Sequence, residues 1–133
     1  QKTIKFHTVI IISIFNRLIH EDKPLTIFGD GEQTRDFVYV ADVVEANIKA
    51  MNHPDLTGIY NISTNTSTSV NELVGYFASI SGKEIVTNYE AERVGDIRHS
   101  RLCNKKAKKD FGFEATVSLD CGLGDTFSYF KGK

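Results

Sequence analysis

The chain has little from which to build a disulfide framework or a metal centre. Its two cysteines, Cys103 and Cys121, lie far apart and in no CxxC or Cys/His pattern. Its four histidines, His7, His20, His53 and His99, share no metal-ligand spacing. Two unpaired cysteines fit a reducing, cytoplasmic compartment. No apolar run spans a bilayer, since the strongest, Val9 to Ile14, is far too short. Neither charge dominates: sixteen basic and seventeen acidic residues leave a net −1. That balance argues against a general nucleic-acid or membrane-surface protein, while leaving room for a local anion pocket. The sequence shows no internal repeat and no low-complexity segment. Methionine occurs once, at Met51, and the chain opens on Gln1, so a piece of a longer protein is expected. The opening QKTIKFHTVIII puts two lysines before an apolar run, as a signal peptide does, but no small-residue cleavage site follows.

What is present is the composition of a packed domain. Hydrophobic residues make up 41% and charged residues 25%, which suits one domain over residues 1–133. Val9 to His20 carries apolar residues around a wide helical surface, and Pro24 helps to end it. Leu25, Ile27 and Phe28 form a short strand that stops at Gly29-Asp30-Gly31, a turn signal. Asp36 to Val40 reads as a second strand. Asp42 with Glu45 three residues on reads as a capping box opening a helix to Met51, with Val44, Ile48 and Met51 on one face. Ile59 to Ser63 reads as a strand. Ser69 with Glu72 is a second capping box, and Gly82 suits the left-handed position after that helix. Ile85 to Tyr89 is a further strand candidate. Asn104 to Asp110 and Ser118 to Phe130 complete the helices, the last weakened by Gly122 and Gly124. Strands alternating with helices predict α/β units, although the strands are few and short.

Arg35 stands where the glycine turn becomes strand. A guanidinium there suits an anion, because its planar fork matches phosphate oxygens. The residues alone favour a surface ion pair with Asp36, Asp30 or Glu32 over the anion site. Arg93 has the same alternative with Glu90, Glu92 and Asp96. Arg98 and Arg101 read as solvated, and His99 has no evident partner. Lys105, Lys106, Lys108 and Lys109 read as a solvated helix face, since no aromatic interleaving supports nucleic-acid binding.

Several segments resemble one known family in register. They are Gly29-Asp30-Gly31, Thr34-Arg35-Asp36-Phe37-Val38-Tyr39-Val40, Asp42-Val43-Val44, Tyr60-Asn61-Ile62-Ser63, Ser69-Val70-Asn71-Glu72-Leu73, Arg93-Val94-Gly95-Asp96-Ile97 and Phe111-Gly112-Phe113. The chain resembles the NAD-dependent nucleotide-sugar epimerase/dehydratase family of extended short-chain dehydrogenases/reductases, nearest to UDP-glucose 4-epimerase and its relatives. It departs from the pattern at Cys103 and Cys121, where acidic residues are usual, and at Val94, where proline is usual.

The resemblance carries a specific set of expectations. The fold would be α/β (an α+β-like fragment), a C-terminal substrate-binding lobe with few short strands, flanking helices and no Rossmann domain. The glycine-rich cofactor turn and the catalytic Tyr-x-x-x-Lys would belong to a preceding domain. NAD would be bound by the parent enzyme there, with no catalytic, cofactor or metal residue in this segment. Arg35 and Arg93 would grip the diphosphate of a UDP-sugar. Leu25, Ile27 and Phe28 would line the nucleobase, and Asp96 would hold the Arg-x-Gly-Asp turn. Partners would be the nucleotide-sugar and the absent Rossmann domain, with self-association of the fragment and no nucleic acid or membrane. The isolated chain would bind UDP-sugars weakly or not at all. A truncated non-enzymatic binding module, or a dehydratase, reductase or decarboxylase of the same family, are the alternatives.

Overall fold

A computed structural model describes residues 11–132. The element order is α1 (Ile11–His20), β1 (Leu25–Phe28), β2 (Thr34–Arg35), α2 (Val40–Met51), β3 (Thr68–Ser69), α3 (Val70–Ser81), β4 (Thr87–Glu90), α4 (Lys105–Phe111) and α5 (Leu119–Lys131). The first two residues of the predicted helix Val9–His20 fall outside the described residues.

β1 and β4 pair in parallel, with Leu25 opposite Thr87 and Phe28 opposite Glu90. Parallel strands cannot be joined by a tight turn and need a long crossover. Here α2 and α3 lie in that crossover. The sequence expectation of a lobe without any Rossmann-type element is therefore corrected. A parallel pair with flanking helices is an α/β, Rossmann-like arrangement. The local pattern could not show this, because the partner of Leu25–Phe28 lies about sixty residues away in β4.

β2 and β3 pair antiparallel, Thr34 opposite Ser69 and Arg35 opposite Thr68. On the other side of β2, Thr34 forms a parallel bridge with His99. The Thr34 N–H donates to the Arg98 carbonyl (2.9 Å) and the Ser100 N–H donates to the Thr34 carbonyl (3.1 Å).

One core joins Phe15 and Ile19 of α1, Leu25 and Ile27 of β1, Val70, Leu73 and Phe77 of α3, and Leu123 of α5. Fully burying each such side chain is worth about 1.5–3 kcal/mol. A second, smaller core gathers Ala46, Ala107, Phe111 and Phe113. Ser69 caps α3 as the sequence predicts: its hydroxyl accepts the Glu72 N–H (3.1 Å), and the Glu72 carboxylate accepts the Ser69 N–H (2.7 Å). Gly82 ends that helix in the left-handed conformation.

Several local expectations differ from the structure. The strand predicted at Asp36 to Val40 is displaced to Thr34–Arg35, because those residues pair with β3 and Thr34 also bridges to His99. α2 starts at Val40 with Tyr39 as its N-cap, and no side chain caps it. Asp42 is thus inside the first turn and 2% exposed, not a capping residue. Its carboxylate instead accepts the Thr116 N–H (3.0 Å), the Thr116 hydroxyl (3.0 Å) and the Val117 N–H (3.1 Å). Asn104 stands at the N-cap of α4 but spends its side-chain amide on the Ser63 carbonyl (2.8 Å). Ile59 to Ser63 forms no strand. Gly122 admits Tyr39: a Cβ there would meet the ring at 2.9 Å. The Val44–Ile48–Met51 face of α2 is exposed, and Val40 and Ile59 are exposed with it. No described helix is long and apolar enough to cross a membrane.

Candidate functional site

Alternation along β1 divides the candidate residues by face. Leu25 and Ile27 point into the core at 0% and 2% exposure, so a ligand can reach only their backbone. Phe28 points to the other face and is half-buried. The guanidinium carbon of Arg93 lies 3.5 Å from the Phe28 ring centroid, a close cation–π stack. Two residues 65 positions apart in sequence thus form one surface at the end of β1.

The turn after β1 is fastened from several directions. Gly29 donates to the Glu90 carbonyl (2.8 Å), extending the β1–β4 register by one residue. The Gln33 side-chain amide donates to the Phe28 carbonyl (2.9 Å). Asn71, on the first turn of α3, donates its backbone N–H to the Gly31 carbonyl (3.0 Å). Its side-chain amide reaches the Asp30 carbonyl (3.0 Å) and the Glu32 carboxylate (2.6 Å), and the Tyr89 hydroxyl donates to Asn71 Oδ1 (2.9 Å).

Asp30 at the tip of this turn meets Arg98 through two parallel bonds, Nη1 to Oδ1 at 2.7 Å and Nη2 to Oδ2 at 2.8 Å. Arg98 is therefore not merely solvated. The guanidinium, with the Glu32 N–H, holds the Asp30 carboxyl down to about 2. A depressed carboxyl contributes fully above its unfolded value near 4, and the contribution is lost as pH falls towards about 2.

Arg35 is half-buried on β2 and donates to its neighbouring Thr34 carbonyl (2.7 Å). The three carboxylates that sequence offered it are engaged elsewhere. Asp30 pairs with Arg98, and Glu32 accepts from Asn71. Asp36 accepts the N–H groups of Thr64 and Asn65 (both 3.0 Å) and the Thr64 hydroxyl. Among the described residues, neither Arg35 nor Arg93 takes part in an ion pair. Asp96 is exposed, and its N–H closes the turn on the Arg93 carbonyl (3.2 Å) with Gly95 at φ 90°. His99 Nδ1 lies 2.9 Å from the Thr34 hydroxyl.

The structure thus brings Phe28 and Arg93 together, and sets Arg35 on the strand that borders residues 98–100. The Asp30–Arg98 pair and the Asn71–Tyr89 contact had no local signal, because their partners lie far apart in sequence. The Gly29–Gly31 turn leads into β2, so no helix N-terminus follows it to receive a dinucleotide pyrophosphate. These residues do not fit NAD at that turn. The expectation that Tyr-x-x-x-Lys belongs to another domain is corrected in one respect: Tyr129 and Lys133 have that spacing. Tyr129 is 64% exposed near the end of α5, and Lys133 lies outside the described residues. Spacing alone assigns no chemistry to them. Among the described residues no group of His, Cys, Asp and Glu is arranged to hold a metal ion.

Residues 5–63 match the model of the NAD dependent epimerase/dehydratase family. The chain is 33% identical over 123 residues to the UDP-glucose 4-epimerase of Mycolicibacterium smegmatis, covering 92% of this chain and 39% of that protein. It is 38% identical over 122 residues to a putative UDP-glucose 4-epimerase of Methanocaldococcus jannaschii, covering 91% and 39%. Among solved structures, the UDP-glucose 4-epimerase of Thermotoga maritima with UDP-glucose aligns with a TM-score of 0.81 at 42% identity, over 92% of this chain and 39% of that one. The UDP-glucuronic acid 4-epimerase of Bacillus cereus, in complex with UDP-glucuronic acid and NAD, aligns with a TM-score of 0.85 at 31% identity, over 91% and 39%. The similarity is at family level, to NAD-dependent epimerases and dehydratases. The chain spans about two fifths of the length of these relatives.

Proposed function

We propose that this chain supplies one wall of a nucleotide-sugar site in an NAD-dependent, UDP-glucose 4-epimerase-like enzyme. The observation that carries this reading is the Arg93 guanidinium stacked on the half-buried Phe28, with neither Arg93 nor Arg35 in an ion pair among the described residues. The sequence offered Arg35 three acidic neighbours, and the fold spends those carboxylates on other partners. Two guanidiniums match the charge and oxygen spacing of a diphosphate. Phe28 and the backbone of Leu25 to Phe28 would meet the nucleobase, and Asp96 would keep the Arg93 turn closed. The wall would hold the nucleotide so that its sugar stands where hydride transfer at C4 occurs. NAD supplies the hydride acceptor and donor in such an enzyme. In this reading the hydride step belongs to the rest of the enzyme, and the isolated chain would not be catalytic.

Titration of the 133-residue chain with UDP, followed by backbone amide NMR shifts, tests this. Shifts are expected at Phe28, Arg35 and residues 93–96, with weak saturation. Arg93→Ala and Arg35→Ala should each lower affinity about tenfold or more, the worth of one charge-assisted contact. Micromolar binding by the chain alone would contradict a one-wall site. Shifts confined to other regions would refute the assignment.

The exposed stripe of Val40, Val44, Ile48 and Met51 supports self-association of the isolated chain. Sedimentation velocity should show the average mass rising with concentration, and Val44→Lys with Ile48→Lys should abolish the rise. A monomer at every concentration would refute it.

A further inference from the structure

The segment 91–97 carries Arg93 and is fastened at both ends to adjacent residues of one turn. Its near end follows Glu90, whose carbonyl accepts the Gly29 N–H at 2.8 Å. Its far end precedes Arg98, whose guanidinium grips both oxygens of Asp30. Arg98 is held a second time, because its carbonyl accepts the Thr34 N–H. Between these anchors the hydrogen bond that ties the segment to itself is the Asp96-to-Arg93 turn. Glu92, Val94 and Ile97 are exposed, Val94 and Ile97 at 106% and 63%, so packing does little to hold the loop.

We propose that Arg98 is a positioning residue: its forked pair with Asp30 closes the 91–97 loop on the turn after β1 and so keeps the Arg93 guanidinium over Phe28. The proposal rests on the nucleotide-binding role given to Arg93 above and adds the element that sets where Arg93 stands. The geometry explains why arginine is required at 98. Two parallel N–H donors fix both the distance and the orientation of the carboxylate, whereas a lysine ammonium fixes distance alone. Both side chains are about half exposed, at 45% and 57%, so the effect is local ordering of one loop and not global stability.

Amide hydrogen exchange and UDP titration of the full 133-residue chain test this together. Arg98→Ala should raise exchange at residues 91–97 about three- to fivefold, the range of a well-formed exposed pair, and leave α3 and α5 unchanged. Arg98→Lys should fall between, and Asp30→Arg combined with Arg98→Asp should recover much of the protection. Arg98→Ala should weaken UDP binding by a similar factor in the parent chain, and by nothing further once Arg93 is alanine. That last result separates positioning of Arg93 from a direct or merely structural role. Unchanged exchange at residues 91–97 in Arg98→Ala would overturn the latch. Raised exchange with unaltered UDP affinity, in a chain where Arg93→Ala does weaken binding, would overturn its positioning role. UDP that fails to bind, or binds equally to Arg93→Ala, would overturn the nucleotide reading and with it the positioning role, while the exchange rates would still decide the loop closure.

Discussion

Replacing Asp42 by alanine is expected to destabilise the chain by about 2–3 kcal/mol, since each hydrogen bond to a charged group is worth about 1.5–3 kcal/mol and the exposed Thr116 donors can turn to water. Asp42 is 2% exposed and accepts from Thr116 N–H, Thr116 hydroxyl and Val117 N–H. These bonds tie the first turn of α2 to the segment that leads into α5. A carboxylate in that position also meets the positive end of the α2 dipole. Asp42→Asn should lose less, because one amide oxygen remains an acceptor while the amide NH2 faces a donor. Glu45→Ala is the control: Glu45 is exposed and caps nothing, so its loss should stay within about 0.5 kcal/mol. Urea unfolding with midpoints and slopes reads all three. A loss below about 1 kcal/mol for Asp42→Ala would mean that water replaces the carboxylate and that the α2–α5 tie is not structural.

Gly31→Ala is expected to cost about 2–4 kcal/mol from two separable sources, left-handed strain and broken hydrogen bonds. Gly31 has φ 78°, and a Cβ there would stand 2.2 Å from Asn71 Oδ1. The end of a side chain usually yields cheaply, but this one is tied to Asp30, Glu32 and Tyr89. Moving it breaks the contacts that fix the turn to α3 and β4. In an Asn71→Ala background the same substitution should cost only the strain, about 1–2 kcal/mol. Gly29→Ala offers the complementary control. Its φ is 81°, but its added Cβ would meet Glu92 at an ordinary 3.7 Å. Equal losses for Gly31→Ala and Gly29→Ala would show that the Asn71 network carries no weight.

The two substitutions probe parts of the chain that differ in how far they were legible. The turn at Gly29-Asp30-Gly31 was readable because its signal is local: an apolar run, two glycines and an aspartate. The cap of α3 was readable for the same reason, since Ser69 and Glu72 hold each other across three residues. Asp42 carried the same local signature with Glu45, and there it misled. Its acceptors were claimed by residues 116 and 117, which no nearby residue announces. The strand predicted over Asp36 to Val40 failed similarly. Aromatic and β-branched residues suit a strand, but pairing requires partners, and residues 68–69 and 98–100 meet Thr34 and Arg35 instead.

The sequence by itself determined the order of the helices, the glycine turn and the α3 cap. Those features rest on contacts within a few residues, which local spacing encodes. The tertiary structure alone decided the parallel pairing of β1 with β4, which replaced the expected lobe without a Rossmann-type element. It also decided which carboxylates were spent and which guanidiniums were left. Arg35 looked like one partner of a surface ion pair because three acids stand near it in the chain. Folding gives Asp30 to Arg98, Glu32 to Asn71 and Asp36 to Thr64 and Asn65. Charge pairing depends on distance in space, and that distance is set by strand register and loop closure, not by position along the chain.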